Sequence, residues 1–345
     1  MQLSDFDFEL PQELIATEPL SERDQSKLLL VPPEGPLTDW RFADLPDLLA
    51  PGSLLVVNDA KVLPARLLGE RKSGAKLEAL LVEELGPGKW AAMVKRAAKL
   101  KEGEQVLFAG GAIKAHYLGR DPEGKPILEF EQPETLTKDL EAHGLAPLPP
   151  YIHKARTTEG DREKDLDTYQ TKFAKNYGAV AAPTAGLHVT EDFLARLKEK
   201  DIGLAPVTLM VGPGTFEPVR VDNVLEHQMH SEAYQVTAES AAAINQAKAE
   251  GRPIVALGTT SLRVLESACV EGKLVPGAGD TDIFIYPGYQ FKMVDRLVTN
   301  FHLPQSTLMM LVAAFSGTER ILAAYNEAVK RRYRFYSFGD AMLLG

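Results

Sequence analysis

The sequence predicts an α/β protein whose main sheet is covered by helices and whose chain carries a small, inserted all-β domain. Apolar runs of strand length alternate with helical patterns in residues 1–64 and again in residues 151–345, which is typical of a parallel or mixed sheet. Between them, residues 65–150 change to short runs in which polar and apolar residues alternate. Because α/β segments lie on both sides, we expect one discontinuous α/β domain with the β domain as an insertion.

The inserted segment shows six runs of period-two alternation bounded by turn sequences. They read ARLLGERK, KLEALLVEE, KWAAMVKR, EQVLFAG, AIKAHYLGR and PILEFE. Six antiparallel strands at this spacing predict a small barrel or sandwich. Gly110-Gly111 suits a two-residue hairpin, because both positions can adopt a positive φ. A helix over 135–143 and a stiff, proline-rich exit at 146–151 end the segment.

The flanking segments predict the strands and helices of the main sheet. The expected strands are SLLVVN (53–58), AVAAP (179–183), VTLMV (207–211), EAYQV (232–236), PIVALG (253–258), IFIY (283–286) and LVTNF (297–301). Helical patterns follow Thr190, Thr237 and Ser306, each of which is a typical N-cap residue. A short helix over 43–52 and a last one over 318–331 complete the expected set.

The composition is that of a globular protein: 345 residues, of which 45% are hydrophobic and 25% charged. This length favours two domains. The chain has one cysteine, Cys269, which excludes an internal disulfide, and its place in a helical pattern favours a buried, apolar role. We expect a cytoplasmic protein, because no signal peptide is visible and no apolar run approaches ~18 residues.

The net charge of −10 argues against a general nucleic-acid coat, since binding to phosphates needs clustered Lys and Arg. Residues 65–151 are nevertheless balanced, with 13 basic and 13 acidic residues. Two basic clusters stand out, KRAAKLK at 95–101 and KRRYR at 330–334. The first contains Lys95, Arg96, Lys99 and Lys101. Each cluster is either a solvated charged face or a local contact for nucleic acid.

Polar junctions rich in Gly and Pro adjoin apolar runs in the second half of the chain. They read GAVAAPTAGLHVT (178–190), VGPGTFEPV (211–219), EHQMHSE (226–232), GTTSLR (258–263), TDIFIYPGY (281–289) and TNFHLPQST (299–307). Functional groups at strand ends are typical of α/β enzymes, whose sites form just beyond the sheet. The sequence therefore predicts an enzyme.

Four imidazoles stand in these junctions. His188 precedes the N-cap Thr190, where free helix N–H groups can hold a carboxylate; alternatively, it only caps the turn. His227 and His230 have i, i+3 spacing, which permits a catalytic role, a hydrogen-bonded pair or part of a zinc site. His302 follows a buried strand in an irregular, apolar setting, which favours a functional role.

Hydroxyl groups and glycines supply further candidate binding groups. Thr259, Thr260 and Ser261 open a helix after a strand, so that their hydroxyls either hold ribose or phosphate oxygens or, for Thr260 or Ser261, serve as the N-cap. Gly212 and Gly214 also follow a strand, but no helical pattern follows them. They therefore favour a close backbone approach to a ligand over a nucleotide-binding loop.

Together with LIATEPLSERDQSKLL (14–29), LLVVNDAKVLPARL (54–67) and YRFYSFGDAML (333–343), these junctions resemble the S-adenosylmethionine:tRNA ribosyltransferase-isomerases of queuosine biosynthesis. The resemblance runs nearly end to end, with the motifs in the family's order. Val189, Met210 and Gln305 stand where the family usually has Phe, His and Lys. Met210 removes one imidazole that could serve as a base.

The resemblance implies a barrel-like α/β domain that carries a small Greek-key β-barrel. It also implies a reaction in which the ribosyl part of S-adenosylmethionine moves to the aminomethyl nitrogen of a 7-deazaguanine in a tRNA anticodon. The ribose rearranges to an epoxycyclopentane, giving epoxyqueuosine, and methionine and adenine leave. The expected partners are therefore a tRNA and S-adenosylmethionine, with no metal, no bound cofactor and no membrane, and the protein is expected to be a monomer.

This chemistry needs a base for the proton on carbon 5′, which the neighbouring sulfonium acidifies, and an acid for the departing adenine. The candidates are His188, His227, His230, His302, Asp282 and Glu217. The expected substrate-binding residues are Asn58, Asp59, Arg66, Thr184, Gly186, Gly212, Gly214, Thr259, Thr260, Ser261, Arg263 and Asn300. The sequence does not say which candidate is the acid and which the base. The first choices for the chemical step are His188, for its helix-start setting, and His302, for its place just beyond a buried strand.

Two other classes of protein fit parts of the sequence. An S-adenosylmethionine-dependent RNA methyltransferase would need a strand–GxG–helix loop followed by an acidic strand end, and the chain lacks that combination. A non-catalytic tRNA-binding protein built on the β insert would have no need for the imidazole-rich junctions. Both classes stay open as alternatives that a labelling experiment separates.

Overall fold

The computed structural model describes residues 1–155, 161–212, 214 and 218–345, and the chain divides into two compact units. The α/β unit comprises Met1–Lys61, Gln170–Asn176 and Ala182–Gly345. The barrel unit comprises Val62–Tyr169 and Tyr177–Ala181. The limits of 65 and 150 that the sequence predicts for an independently folding insert stay a prediction.

Across the described residues, the strands are β1 Lys27–Val31, β2 Thr38–Arg41, β3 Leu54–Asn58, β4 Ala60–Val62, β5 Arg66–Arg71, β6 Lys76–Gly86, β7 Lys89–Lys95, β8 Gln105–Phe108, β9 Ile113–Arg120, β10 Pro126–Phe130, β11 Asn176–Ala179, β12 Gly203–Leu209, β13 Glu232–Val236, β14 Ile254–Leu257, β15 Cys269–Val270, β16 Lys273–Leu274, β17 Gly277–Thr281, β18 Arg296–Asn300 and β19 Ala341–Leu344. The α-helices are α1 Leu45–Leu48, α2 Leu136–His143, α3 Pro150–Ala155, α4 Arg162–Thr168, α5 Glu191–Glu199, α6 Ala238–Ala249, α7 Thr259–Ser267, α8 Thr307–Ser316 and α9 Thr318–Lys330. Short 3₁₀ turns, including Thr184–His188, connect several of them.

The barrel unit contains a closed barrel of six antiparallel strands in the order β10-β7-β6-β5-β8-β9. Strands β5, β6 and β7 pair in sequence and β8 returns to pair with β5, which is a Greek-key arrangement. Alternate side chains point inward, so that Leu81, Phe108 and Leu128 are fully buried. Gly69 lets β5 approach β8, because a Cβ there would lie 2.6 Å from the carbonyl oxygen of Leu107. The predicted six-stranded insert is confirmed.

The turn between β8 and β9 is longer than the two residues that the sequence predicts. Phe108 pairs with Ile113, so the four residues between them form the loop. Gly110 and Gly111 have φ angles of 68° and 98°, left-handed values that glycine adopts without strain. Both glycines therefore adopt the positive φ angles that the sequence predicts, but Ala109–Gly111 adds a turn of 3₁₀ helix to the hairpin.

The α/β unit is built on a nine-stranded mixed sheet in the order β17-β13-β12-β3-β14-β18-β19-β1-β2, with β17 and β2 at its edges. Strands β12, β3, β14 and β18 are parallel, whereas β13 and β19 run antiparallel to β12 and β18. The central strand β3 is buried along its whole length. Its Leu55 shares a core cluster with Val255 of β14 and with Phe193 and Leu197 of α5. The predicted α/β class is confirmed.

Three predicted helix starts are confirmed by the hydrogen bonds of their first turns. The hydroxyl oxygens of Thr190, Thr237 and Ser306 accept from the backbone N–H groups three residues further on, at 3.2, 3.1 and 3.1 Å. Each bond satisfies an N–H group that has no partner inside the helix. These caps fix where α5, α6 and α8 begin.

Several strands differ from the sequence prediction. The segment IFIY is not a strand, because the backbone N–H of Ile283 donates to Thr281 Oγ1 at 3.2 Å and turns the chain away after β17. The rings of Phe284 and Tyr286 then pack against each other at a centroid distance of 5.1 Å. The strand expected at 179–183 lies earlier, as β11. No counterpart among the predicted strands exists for β1, β2, β4, β15, β16, β17 and β19.

Helices α8 and α9 follow each other around Gly317, whose φ of 87° turns the chain. Within the described residues, no single helix is long and apolar enough to cross a membrane. The two helices reach that length and composition together, but they are bent by 114° at the break between them. Met309, Met310 and Val312 of α8 are fully buried inside the protein.

Candidate active site

The strand ends of the α/β sheet bring polar residues to one edge. Because β3, β12, β14 and β18 are parallel, their carboxyl ends lie on the same side of the sheet. The first residues of the antiparallel strands β13 and β19 also lie there. This carboxyl edge holds the buried polar residues Asn58, Asp59, Thr208, Glu232, Thr259, Arg263, Asn300, His302 and Asp340. Open α/β sheets commonly place their sites at such an edge.

His188 is held by hydrogen bonds at both ring nitrogens. The Asn300 amide nitrogen donates to Nε2 at 3.2 Å, while Asn300 Oδ1 accepts from the Thr184 hydroxyl at 2.9 Å. Nδ1 therefore carries the proton and donates to the Arg23 carbonyl oxygen at 3.4 Å. Burial lowers the pKa of His188 to about 4, against an opposing effect of the hydrogen bond to Arg23. The imidazole is neutral near pH 7.

His302 lies two residues beyond the end of β18, as the sequence predicts. Its Nε2 lies 3.0 Å from the Thr299 hydroxyl oxygen, and its backbone N–H donates to the Tyr325 hydroxyl at 3.1 Å. The residue is 6% exposed, and burial lowers the pKa of its imidazole to about 3. His302 is therefore a second neutral, enclosed imidazole at the carboxyl edge.

His227 and His230 lie in the segment that leads into β13, where His227 is half-buried and His230 is exposed. The ring of His227 meets that of Phe284 edge-on, at a centroid distance of 5.3 Å. Partial burial, followed by the charge of His230, lowers the pKa of His227. Gly214 is glycine for a steric reason, because a Cβ there would collide with the ring of His230.

No group of three or more His, Cys, Asp or Glu side chains in the described part of the chain could hold a metal ion. The zinc alternative for the two loop histidines thus finds no third ligand among those residues. Glu217, one of the carboxylate candidates, lies outside the described residues. Asp282, the other, is exposed directly after β17.

Asn58 and Asp59 tie the ends of β3 and β12 together. Asn58 Oδ1 accepts from the backbone N–H of Leu209 at 3.1 Å, and its amide nitrogen donates to the carbonyl oxygen of the same residue at 3.2 Å. The Asp59 carboxylate accepts from the Thr208 hydroxyl at 2.5 Å and from the Asn176 amide at 3.0 Å. These expected substrate-binding residues are thus engaged in holding the strand ends.

The N-cap of helix α7 is Gly258, whose φ is 92°, and neither Thr260 nor Ser261 has that role. That alternative from the sequence is wrong, because glycine alone adopts this backbone conformation easily and the N-cap lies two residues before Thr260. The Ser261 hydroxyl donates to the Leu257 carbonyl oxygen at 2.9 Å. By contrast, Thr260 Oγ1 is buried and finds no hydrogen-bond partner among the described residues. Thr259, on the first turn, is 8% exposed.

Arg263 and Glu232 form an ion pair that is almost fully buried, with 7% and 8% of each residue exposed. Nη1 of Arg263 donates to Glu232 Oε2. The other carboxylate oxygen of Glu232, Oε1, accepts from the backbone N–H of Gly212 at 2.9 Å. Three elements of the carboxyl edge meet in this pair: α7, the start of β13 and the segment after β12. Nη2 and Nε of Arg263 have no partner within the described chain.

Three further positions singled out in the sequence have a structural role or lie outside the α/β unit. Gly186 packs on Thr171, whose Cγ2 would lie 3.1 Å from a Cβ at position 186. Met210, at the end of β12, donates its backbone N–H to the Ala233 carbonyl oxygen at 2.9 Å and offers no titratable group. Arg66 belongs to the barrel unit, where its Nε donates to Glu78 at 3.0 Å.

The two basic clusters differ in how far their charges are paired. At 330–334, Lys330 pairs with Glu327, and Arg331 pairs with both Glu327 and Asp39. At 95–101, Lys95 pairs with Glu78 at 2.7 Å, while the side chains of Arg96, Lys99 and Lys101 are exposed. The backbone of Arg96 has a φ of 67° and opens the 3₁₀ turn Ala97–Lys99, so the cluster lies on a projecting turn after β7.

Two acidic residues of the edge, Glu232 and Asp340, received no role from the sequence. Asp340 is 2% exposed and accepts from the backbone N–H groups of Lys27 at 2.9 Å and Arg334 at 2.8 Å. Burial raises the pKa of its carboxyl, against these hydrogen bonds. The same sequence signal marks both residues, namely a carboxylate at the start of an apolar strand.

A polar cavity of about 400 Å³ lies beside β1 and β2, and the sequence patterns do not mark it. It is lined by Lys27, Asp39, Trp40, Arg41, Asp44 and Arg331. The Arg331 guanidinium pairs with Asp39 at 2.8 Å, and Trp40 is 39% exposed. The lining contains three cationic and two anionic side chains, so their charges largely cancel.

The fold and the carboxyl edge define a class: a mixed α/β protein that carries an inserted Greek-key β-barrel and gathers imidazole, hydroxyl and guanidinium groups where the parallel strands end. A family model described as "Queuosine biosynthesis protein" matches residues 3–344. The chain belongs to this family, as its motifs led us to expect.

Relatives from other organisms match the chain along its whole length. A protein of Anaeromyxobacter sp. named S-adenosylmethionine:tRNA ribosyltransferase-isomerase is 53% identical, with 100% of this chain and 99% of that protein covered. A protein of the same name from Desulforamulus reducens is 49% identical, with 100% of both chains covered. The crystal structure of an S-adenosylmethionine tRNA ribosyltransferase from Thermotoga maritima is 38% identical, with a TM-score of 0.57, and covers 99% of this chain and 100% of its own.

Proposed function

We propose that this protein is an enzyme that moves the ribosyl part of S-adenosylmethionine to the aminomethyl group of a 7-deazaguanine in a tRNA anticodon, giving epoxyqueuosine. The observation that carries the proposal is the end-to-end match to proteins named for this transfer, at 53% and 49% identity. The carboxyl edge supports it, because buried imidazole, amide, hydroxyl and guanidinium groups gather there. Methionine and adenine are then the leaving products.

Proton transfer falls to His227 and His230 in this proposal. A general base works best when its pKa lies near the working pH. Burial holds the pKa values of His188 and His302 at about 4 and about 3, and both ring nitrogens of His188 are occupied within the protein. His188 and His302 therefore position the edge. His227 and His230 lie in the more exposed segment before β13, where a substrate can reach their rings, and they take the proton from carbon 5′ and supply the proton to adenine.

The start of α7 serves the ribose in this proposal. Its first-turn N–H groups are free of partners inside the helix, and they carry partial positive charge. The Thr260 hydroxyl oxygen is buried next to them without a partner among the described residues. Thr259 and Thr260 thus offer hydrogen bonds to sugar oxygens at the point where β14 ends.

The tRNA backbone is held by the exposed basic turn of the barrel unit. In the described structure, Arg96, Lys99 and Lys101 project from this turn without the carboxylate pairing that surrounds Lys330 and Arg331. Electrostatic contacts to phosphates do not depend on base sequence. We further propose that the protein acts as a cytoplasmic monomer with no bound cofactor, since proton transfer and displacement at carbon can be served by imidazole and carboxylate groups.

Isotope labelling tests the reaction directly. The protein is incubated with S-adenosylmethionine labelled in the ribose and with a tRNA that carries the aminomethyl-deazaguanine. Label should enter the tRNA, and adenine and methionine should be released in equal amounts. Transfer from methyl-labelled S-adenosylmethionine instead would indicate a methyltransferase. Binding of tRNA without any transfer would indicate a non-catalytic protein, and either result would contradict the proposal.

A further inference from the structure

The Arg263 guanidinium is buried, yet part of its hydrogen-bonding capacity is unused, which destabilises the folded protein. The residue is 7% exposed, yet Nε and Nη2 have no partner among the described residues. A buried charged donor without a partner destabilises the folded protein more than a neutral donor does, because the hydrogen bonds that it makes to water in the unfolded chain are not replaced. Such a group in a native structure calls for a ligand or an ordered water.

The two unpartnered nitrogens lie on the same edge of the guanidinium. The N–H bonds of Nε and Nη2 point in parallel, which is the fork that binds a carboxylate through two hydrogen bonds. Glu232 holds the group from Nη1, outside this fork. Because the backbone N–H of Gly212 fixes Glu232 in turn, the orientation of Arg263 is set by two neighbouring elements. The fork is therefore oriented in advance and left open.

The surroundings of the fork suit a ligand that has a negatively charged group and, close to it, a positively charged one. Thr260 lies three residues before Arg263 on α7, on the same helix face, and its hydroxyl oxygen also lacks a partner in the described structure. Positive partial charge at the start of α7 favours an anion. Glu232 places a negative charge beside the guanidinium. A carboxylate and an ammonium on the same carbon, as in an α-amino acid, complement this arrangement.

We propose that Arg263 binds the carboxylate of the methionine part of S-adenosylmethionine, with Glu232 as the positioning residue that aims its fork. This inference rests on the proposed function, because it assumes that S-adenosylmethionine enters the carboxyl edge. A phosphate of the tRNA backbone is disfavoured as the occupant, since the guanidinium is buried and stands beside a carboxylate. A single planar carboxylate fits one open fork.

The test compares two ligands and three forms of the protein by calorimetric titration. The ligands are S-adenosylmethionine and its decarboxylated analogue, which lacks the carboxylate alone. Arg263→Lys keeps a positive charge beside Glu232 but has no planar fork. Arg252→Lys is the matched control, because Arg252 also pairs with a glutamate, Glu250, but precedes β14 at the opposite edge of the sheet.

The unchanged protein should bind S-adenosylmethionine about 10- to 100-fold more tightly than the analogue, the usual worth of charge-assisted hydrogen bonds. In Arg263→Lys this preference should fall to within about threefold, through weaker binding of S-adenosylmethionine. Arg252→Lys should keep the preference of the parent. Thermal melting checks that each variant is folded. If Arg263→Lys does not fold, the two affinities of the unchanged protein are the test. A preference for S-adenosylmethionine of about 10-fold or more supports the assignment, and equal affinities overturn it.

Equal affinity of the parent for both ligands, or an undiminished preference in Arg263→Lys, would overturn the assignment. So would a loss of tRNA affinity in Arg263→Lys with the ligand preference intact, which would identify a phosphate as the occupant. In each of these cases the parent can still transfer labelled ribose to tRNA, and then the proposed function stands while this inference fails. A parent that neither binds S-adenosylmethionine nor transfers ribose overturns both.

Discussion

At the scale of single residues, the histidines of the α/β unit fall into two pairs. His188 and His302 are buried; both ring nitrogens of His188 and Nε2 of His302 contact protein atoms. His227 and His230 lie in the segment before β13, with more solvent around them. The sequence placed all four in similar junctions, so the distinction arises from tertiary burial. It has one consequence for catalysis and another for stability.

Replacing His227 or His230 with Ala should lower the single-turnover rate of ribosyl transfer by about 10² to 10⁴, the usual loss when a general acid or base is removed. The rate is measured with ribose-labelled S-adenosylmethionine, and folding is checked by thermal melting. His116→Ala is the control, because His116 lies in the barrel unit, where its side chain is 39% exposed and contacts Glu131 at 3.0 Å. The control should keep the rate of the parent.

The same assay applies to His188→Ala and His302→Ala, where we expect loss of stability as well as rate. If all four variants stay folded and retain rates within about threefold of the parent, histidine is not the acid or base. Asp282 and Glu217 then become the leading candidates. That outcome would also remove the distinction between the enclosed and the loop imidazoles.

Lowering the pH below about 6.5 should destabilise the folded protein, because His188 and His302 are buried in their neutral forms. Their pKa values of about 4 and about 3 lie below the ordinary histidine pKa of 6.5. The unfolded chain therefore binds more protons between pH 6.5 and 4, so each histidine contributes stability that is full above about pH 6.5 and declines as the pH falls. The expected slope is about 1.4 kcal/mol per pH unit for each histidine.

Denaturant unfolding between pH 7 and pH 4 measures this slope. His188→Gln should make it shallower, whatever the variant does to stability at neutral pH. An equal slope in the parent and in His188→Gln would mean that His188 does not titrate differently on unfolding.

At the scale of elements, the turn after β7 is expected to hold the tRNA backbone. Replacing Lys95, Arg96, Lys99 and Lys101 with Ala should weaken tRNA binding and flatten its dependence on salt, with a slope smaller by about one for each phosphate that no longer meets a cation. Filter binding at several salt concentrations gives both quantities. The weakening should be similar for different RNA sequences.

The matched control neutralises Lys330 and Arg331, whose charges are already paired with Glu327. This variant should bind tRNA nearly as the parent does, although its melting temperature can fall. Unchanged binding after neutralisation of both clusters would place the tRNA-binding surface elsewhere on the protein.

The elements that the sequence predicted well have strong local signals. Strands β5 to β10 alternate in polarity between turn sequences, and Thr190, Thr237 and Ser306 mark helix starts. Strand β17, with the sequence GAGDT, carries no hydrophobic pattern and exists because β13 pairs with it. Conversely, the apolar run IFIY turned away from the sheet because its neighbour Thr281 accepts a backbone hydrogen bond.

The candidate site was predictable as a region and less so in its details. Residues at or just after the ends of β3, β14 and β18 were expected at the edge, and Asn58, Thr259 and Asn300 are there. The sequence could not show that the hydrogen bonds of Asn58 are made within the protein, or that Glu232 anchors Arg263. These contacts join residues far apart in the chain, and no local pattern encodes them.

At the scale of the whole molecule, residues 65–150 should be removable without unfolding the α/β unit. The barrel has a closed hydrogen-bond pattern and its own cluster of buried side chains, which includes Leu81, Phe108 and Leu128. A variant in which a short Gly/Ser linker replaces these residues should unfold cooperatively and keep its near-ultraviolet dichroism. A broad, non-cooperative transition would show that the α/β unit depends on the barrel.

Strand β19 decides when the sheet can be completed during synthesis. It pairs with β18 on one side and with β1 on the other, so it joins the earliest strands of the chain to the rest. During synthesis, β1 and β2 lack their connection to the rest of the sheet until β19 has been made. Their unpaired edges can meanwhile associate with other chains. The barrel strands follow one another closely and can close long before that. A ribosome stalled short of residue 341 should therefore carry a finished barrel and an open sheet.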